Sequence, residues 1–334
     1  MKTPVTILDI ARELGISKST VSRVLQNTYD VNPETRQKVL DKMQQMNYRP
    51  NMMARNLKKG STSVIGVNIP AFDIPFYSQA ISGIQNEAAR QGYNILTCQS
   101  NEDVNTELKN IETLLASQVD GLLISISKTA RNVMHLLELQ RNNIPVVLFN
   151  RVAGQMDFSK VYVNDFDGAH KMVNYLIGKG HKKIAHIAGP GNLSLSKNRI
   201  EGYKASLKAH GISFAEELLI EGDFSFADGA RCMNELLDRQ LEIDAIFCVC
   251  DSMALGCMQV LKQRGYRIPK DIAVAGYTND PAAEYVDPGL TTIAQPSYQI
   301  GVEAAALLIR KIKNPAYPRQ DVILDTELII RNSA

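Results

Sequence analysis

Apolar positions in the first 25 residues repeat with a helical spacing. Ile7, Ile10, Ala11 and Leu14 recur every three or four residues, so they share one helix face. Thr6 stands where that helix begins, and Asp9 follows at the spacing of a capping box. Gly15 comes next, and glycine takes the left-handed turn that ends a helix without steric cost. Ser17 is placed to cap a second short helix with a buried stripe of Val21, Val24 and Leu25. A third stretch opens on Asn32 as cap and Pro33 at the first helical position, with Val39, Met43 and Met46 on its apolar face. Residues 51–60 then combine good helix formers with little apolar surface. A helix under ~12 residues is marginal in water, so this segment reads as a solvated linker in the free protein.

Beyond residue 60 the pattern changes to short apolar runs separated by amphipathic stretches. Strands are expected at 64–69, 94–98, 121–126, 146–149, 161–163, 184–188, 218–220, 245–249 and 272–275, with a last candidate at 322–330. Helices are expected between them, among others at 77–91, 106–117, 169–179, 227–239 and 252–264. This alternation predicts parallel sheets covered on both faces. A stretch of about 270 residues is too long for one small domain and suits two α/β lobes.

Charge separates the two regions further. Residues 1–60 hold 11 Lys and Arg against 5 Asp and Glu, a net +6 in a chain whose total is +2, so residues 61–334 carry −4. A basic head on an acidic body is the footprint of a nucleic-acid-binding segment. Two short helices joined by a glycine turn form a helix-turn-helix, whose second helix enters the DNA major groove. Its first turn is Lys18-Ser19-Thr20, with Ser22 and Arg23 one turn later, and such side chains reach base edges and phosphates. The same helix pattern also occurs in ordinary all-α domains, and the charge favours DNA.

The run VTILDIARELGISKSTVSRVL and its continuation VNPETRQKVLDKMQQMNYRPNMMARNLKKGSTSVIGV resemble the headpiece and hinge of the lactose repressor/galactose repressor (LacI/GalR) family. The resemblance covers essentially the whole chain. It implies a small all-α helix-turn-helix headpiece at 1–50, a hinge helix or linker at 51–60, and an α/β two-lobed periplasmic-binding-protein-like sensor domain at 61–334. Lobe 1 would take about 61–162 and 295–322, and lobe 2 about 163–293 and 323–331. Chain crossings would fall near 163–164, 293–295 and 321–323. The DNA-binding residues it implies are Thr6, Ser17, Lys18, Ser19, Thr20, Ser22, Arg23, Asn51, Ala54, Arg55, Leu57 and Lys58. Leu57 would be an apolar wedge that opens a base step in the minor groove, with Arg55, Lys58 and Lys59 on phosphates.

The resemblance also implies a ligand cleft at the carboxyl ends of the strands. Arg199, in AGPGNLSLSKNRIEGY, matches a family arginine that reaches the ligand, although it also reads as a helix arginine in an ion pair. Phe76 and Tyr77 match ligand-facing aromatics and read equally as core. Asn150 and Arg151 end a strand, Asp251 follows Cys250 at a helix start where it also serves as a cap, and Thr278 and Asn279 lie in AGYTND. Asn150 and Thr278 stand where the family often has aspartate. Carboxylates lost beside a retained arginine suggest an anionic effector, a sugar acid or sugar phosphate. A neutral sugar held by amides and hydroxyls is the open alternative.

Other chemistries lack their signatures. Phosphate-loop and dinucleotide fingerprints are absent, and Pro190 spoils the Gly189-Pro-Gly191 run as a phosphate cradle. The cysteines (Cys98, Cys232, Cys248, Cys250 and Cys257) show no zinc-site spacing and read as reduced buried thiols. The histidines, His181 and His186 among them, show no metal or triad spacing. No catalytic residue, metal or cofactor is therefore expected. No apolar run approaches 18 residues and no signal peptide opens the sequence, which points to the cytoplasm. The expectation is a ligand-responsive regulator, a homodimer without a tetramerising heptad tail, on double-stranded palindromic operator DNA. A solute-binding or sugar-modifying protein with a fused DNA-binding head is the alternative.

Overall fold

The computed structural model describes residues 5–25, 30–48, 61–130, 133–153 and 157–334. They fall into two compact units, Met1–Thr62 and Ser63–Ala334.

The first unit contains α1 (Ile7–Leu14), α2 (Lys18–Leu25) and α3 (Pro33–Gln45). Thr6 and Asp9 close the capping box in both directions: Asp9 N–H donates to Thr6 Oγ1 at 3.4 Å and Thr6 N–H to Asp9 Oδ2 at 2.9 Å. Gly15 ends α1 at φ 61°, which sets α2 at an angle to it. Asn32 caps α3 by accepting from Glu34 N–H at 2.8 Å. The three apolar stripes meet in a small core of Ile10, Ala11, Val21, Val24 and Val39, with Met43 and Met46 packed against it.

The second unit runs β1 (Val64–Ile69), α4 (Pro75–Arg90), β2 (Asn94–Gln99), α5 (Val104–Ala116), β3 (Gly121–Ile124), α6 (Met134–Arg141), β4 (Val146–Phe149) and β5 (Ser159–Val163). It continues with α7 (Asp165–Gly178), β6 (Ile184–Ala188), α8 (Ser194–Ala209), β7 (Leu219–Glu221), α9 (Phe226–Asp238), β8 (Ala245–Cys248) and α10 (Asp251–Gln263). The last elements are β9 (Ala273–Ala275), α11 (Ala282–Tyr285), β10 (Thr292–Ala294), α12 (Ser297–Lys313), β11 (Asp321–Leu324) and β12 (Glu327–Ile329). Two parallel sheets result, β11-β5-β4-β3-β1-β2 in lobe 1 and β7-β6-β8-β9 in lobe 2. A short antiparallel ribbon, β10-β12, completes the topology. The central strands are buried on both faces, which explains why they read as continuous apolar runs rather than alternating ones.

Three crossings link the lobes, at 164 after β5, at 295–296 between β10 and α12, and at 325–326 after β11. The third lies later than the expected 321–323. Those residues still belong to lobe 1, since β11 pairs with β5 from Asp321↔Lys160 to Leu324↔Val163. The single strand expected at 322–330 is accordingly two, broken where the chain changes lobe. The stretches that form α6, β10, α11 and α12 carry no element singled out by the sequence pattern.

Candidate nucleic-acid interface and ligand cleft

In the head, α2 presents Lys18, Ser19 and Arg23 to solvent, with Thr20 and Ser22 half-buried beside them. Ser17 bonds Ser19 Oγ at 2.7 Å and Thr20 Oγ1 at 2.8 Å, and it caps the helix by accepting from Thr20 N–H at 3.1 Å. This hydroxyl cluster is exposed and free to exchange partners. Arg23 meets Asp30 at 3.4 Å in an exposed pair, an interaction weak enough to yield to a phosphate. Thr6 is exposed, but its hydroxyl donates to Asp9 at 2.7 Å, so its first role is the cap. Asn51, Ala54, Arg55, Leu57 and Lys58 lie outside the described residues, as does Lys59.

In the second unit, a cleft opens between the lobes at the carboxyl ends of the strands. Lobe 1 contributes Phe76, Tyr77 and Gln79 from the start of α4, and Asn150 and Arg151 from the end of β4. Lobe 2 contributes Arg199 from α8, Phe224 after β7, Cys250 and Ser252 at the start of α10, and Thr278 and Asn279 after β9. Gln295 and Ser297 line it from the second crossing.

Arg199 is the most elaborated of these residues. It is 3% exposed, and its Nε and Nη2 both donate to Asp165 Oδ1, at 2.9 and 2.7 Å. Its Nη1 donates to the Val249 carbonyl, and its guanidinium lies 3.6 Å from the ring centroid of Tyr277. A guanidinium has five N–H groups, so two remain for a ligand. Burial pushes the Asp165 carboxyl up, and Arg199 pulls against it. Arg151 is also matched: its Nη1 donates to Glu102 at 2.6 Å, and its guanidinium lies 4.7 Å from the Phe224 ring centroid.

Phe76 and Tyr77 are core residues whose edges also reach the cleft. They are 6% and 1% exposed within the lobe 1 core, and they also form cleft wall. Tyr77 Oη pairs with Ser125 Oγ at 2.9 Å and accepts from Asn150 Nδ2 at 3.2 Å. Burial raises the Tyr77 phenol, which therefore stays neutral.

Asp251 departs from the expectation. It is fully buried and is not among the cleft-lining residues. Its Oδ1 accepts from Thr292 Oγ1 at 2.6 Å and its Oδ2 from Asp280 N–H at 2.7 Å. A carboxylate so engaged helps hold the 277–280 loop in place, and it is buried away from the cleft wall. The loop must pass close: a Cβ at Gly276 would stand 2.1 Å from Asp251 Oδ1.

The cleft also concentrates unusual backbone. Asn150 (φ 57°), Phe224 (φ 75°), Thr278 (φ 124°) and Asn279 (φ 55°) all have positive φ. Asparagine tolerates this, whereas a β-branched threonine and a phenylalanine do so at a cost, and such strain gathers at functional sites. Phe224 was missed from sequence, and its one signal is an aromatic three residues past a strand end. Asp165 and Tyr277 were missed as well. They touch Arg199 through long-range contacts that no local pattern encodes.

Comparison with known proteins agrees with this architecture. Residues 6–51 match the model of bacterial regulatory proteins of the lacI family. Residues 62–331 match that of periplasmic binding proteins and the sugar binding domain of the LacI family. The chain is 35% identical to the HTH-type transcriptional repressor CytR of Escherichia coli (strain K12), over 99% of this chain and 97% of that protein. It is 34% identical to the ribose operon repressor of the same strain, over 98% and 99%. Among solved structures, the lac repressor dimer bound to operator and the anti-inducer ONPF superposes with a TM-score of 0.89 at 27% identity, covering 99% of both chains. A helix-turn-helix head and a two-lobed body with a cleft, matched over nearly their whole length, place the chain in the LacI family of DNA-binding transcriptional regulators.

Proposed function

We propose that the chain is a cytoplasmic repressor that binds a near-palindromic operator as a homodimer and is controlled by a neutral, polyhydroxylated effector. The head supplies base and phosphate contacts through Ser17, Lys18, Ser19, Thr20, Ser22 and Arg23. The 51–60 segment is proposed as the hinge, with Leu57 as wedge. The effector occupies the cleft, and it shifts operator affinity because it binds two lobe arrangements unequally.

One observation carries the effector class. Each guanidinium of the cleft already has a carboxylate partner, Arg151 with Glu102 and Arg199 with Asp165. The anionic effector expected from sequence assumed an unpaired cation. With both cations neutralised, an incoming acid or phosphate would face Asp280 on the cleft wall with no compensating charge. What remains toward a ligand is neutral: the amides of Gln79, Asn150 and Gln295, the hydroxyls of Ser252, Thr278 and Ser297, two N–H groups of Arg199, and aromatic rings. Amides and hydroxyls suit a polyol, and ring faces suit its apolar side. Among the relatives, the ribose operon repressor places pentoses on the panel to test.

Titration calorimetry of the full chain against ribose, glucose, ribose 5-phosphate, glucose 6-phosphate and gluconate tests the reading. A neutral sugar is expected to bind at least tenfold more tightly than its acid or phosphate. Tighter binding of an acid or phosphate than of every neutral sugar would overturn it.

A further inference from the structure

We propose that the two lobes are latched together by the protein itself, through a catch outside the ligand cleft in which the 127–130 turn of lobe 1 is gripped by two loops of lobe 2. Its residues are Lys128 on one side and Asn192 and Asp223 on the other. None of the three lines the cleft.

The lobe 1 side is built to be rigid. Ser127 N–H donates at 2.8 Å to the fully buried carboxylate of Glu107. Lys128 N–H donates at 2.9 Å to Glu102, the carboxylate that also holds Arg151. Thr129 Oγ1 donates to the Glu102 carbonyl at 3.0 Å and accepts from Val104 N–H at 2.9 Å. The turn therefore has little freedom to follow lobe 2 if that lobe moves.

Lobe 2 reaches it from two strand ends. After β6, Asn192 Nδ2 donates to the carbonyls of Lys128 at 2.9 Å and Ala130 at 3.3 Å. After β7, Asp223 receives Lys128 Nζ on Oδ2 at 3.1 Å and on its carbonyl at 3.3 Å. Asp223 is itself fixed, since its Oδ1 accepts from Ser225 N–H at 2.9 Å. Beside the catch, Ser194 Oγ donates to the Val152 carbonyl at 2.8 Å, again from lobe 2 to lobe 1. All these donors and acceptors belong to the protein, so closure does not wait for an effector.

A single half-exposed ion pair contributes little, because water screens it. Here several bonds act on one rigid turn and must break together for the lobes to part, and together they bias a two-state opening equilibrium. The effector then meets a cleft already closed for part of the time, and its apparent affinity rises with that fraction.

The test needs no effector. Spin labels on ketone side chains, introduced at the exposed positions Asn142 and Lys197, report the distance across the cleft in the ligand-free full-length protein. The wild type is expected to show a dominant short distance. Lys128→Met with Asn192→Ala should shift the ratio of long to short distances at least tenfold, with the midpoint of thermal unfolding nearly unchanged. A charge swap, Lys128→Asp with Asp223→Lys, should restore the short distance relative to Lys128→Asp alone, which a merely structural role would not do. A folded double variant with the wild-type distribution would overturn the latch, as would a wild type whose long distance already dominates.

Discussion

At the scale of single residues, the body places ionisable groups where water cannot reach them, and two oppose each other. His186 lies at the centre of the lobe 2 sheet, fully buried, with its ring stacked on Phe247 and Nδ1–H donating to the Phe247 carbonyl at 2.8 Å. Burial lowers its pKa from 6.5 to about 4. Between those values the unfolded chain takes up a proton that folded His186 refuses, so this residue's contribution falls as pH falls, by about 3 kcal/mol in all. Asp251 does the reverse. Burial raises its pKa from 3.8 to about 6, against the hydrogen bonds from Thr292 and Asp280, so its contribution grows by a similar amount as pH falls through that window. The two nearly cancel in the wild type, and substitution separates them. Relative to wild type, His186→Leu should lose its stability deficit by about 3 kcal/mol on going from pH 7 to pH 4, measured by urea unfolding at each pH. A difference that stays constant with pH would show that His186 titrates normally in the fold.

At the scale of elements, what could be read from sequence is what short-range physics writes there. Thr6, Asp9, Gly15 and Asn32 marked helix ends because capping acts within four residues, and the apolar runs at 64–69, 146–149 and 184–188 became strands at those bounds. The third crossing was misplaced because no glycine or proline marks Asp325-Thr326, so β11 and β12 read as one strand. α12 escaped notice because its buried face is rich in Gly301, Ala304 and Ala305, which carry weak hydrophobic contrast although they let the helix pack closely on α4. In the cleft, the matched motifs located Asn150, Arg199 and Thr278. Asp165 could not be located, since its partner is 34 residues away and an acid in the first turn of a helix needs no other explanation. Asp251 was misread because a helix-start carboxylate looks the same whether it faces a ligand or a loop. The capping box permits a direct test at this scale. Thr6→Ala removes both the acceptor for Asp9 N–H and the donor to its carboxylate, in a head whose core is only a few side chains. The head should lose about 1 kcal/mol, seen as earlier loss of helical signal, while unfolding of the body stays in place. Concerted loss of both signals would show that head and body do not melt independently.

At the scale of the whole molecule, the separation of charge says which part of the chain meets a polyanion. The +6 of residues 1–60 and the −4 of the remainder nearly cancel in the total, so bulk charge predicts weak DNA affinity whereas its distribution predicts strong affinity through the head. Among the described residues, no helix is long and apolar enough to cross a membrane. Phosphate contacts release counterions, and affinity then falls with salt at a slope near −0.9 per contact. Two heads side by side would make roughly six to ten contacts, so affinity for duplex DNA should fall about a thousandfold or more between 50 and 200 mM salt. Residues 63–334 form a compact unit of their own and should show no measurable binding under the same conditions. Within the full chain, Lys18→Gln should flatten the slope by about one contact per head and weaken binding about equally on all sequences where this exposed ammonium meets a phosphate. Gel shift across a salt series reads both quantities. A truncated body that bound as tightly as the full chain would remove the head from the interface. A Lys18→Gln effect confined to one operator sequence would move that lysine from the phosphates to a base edge.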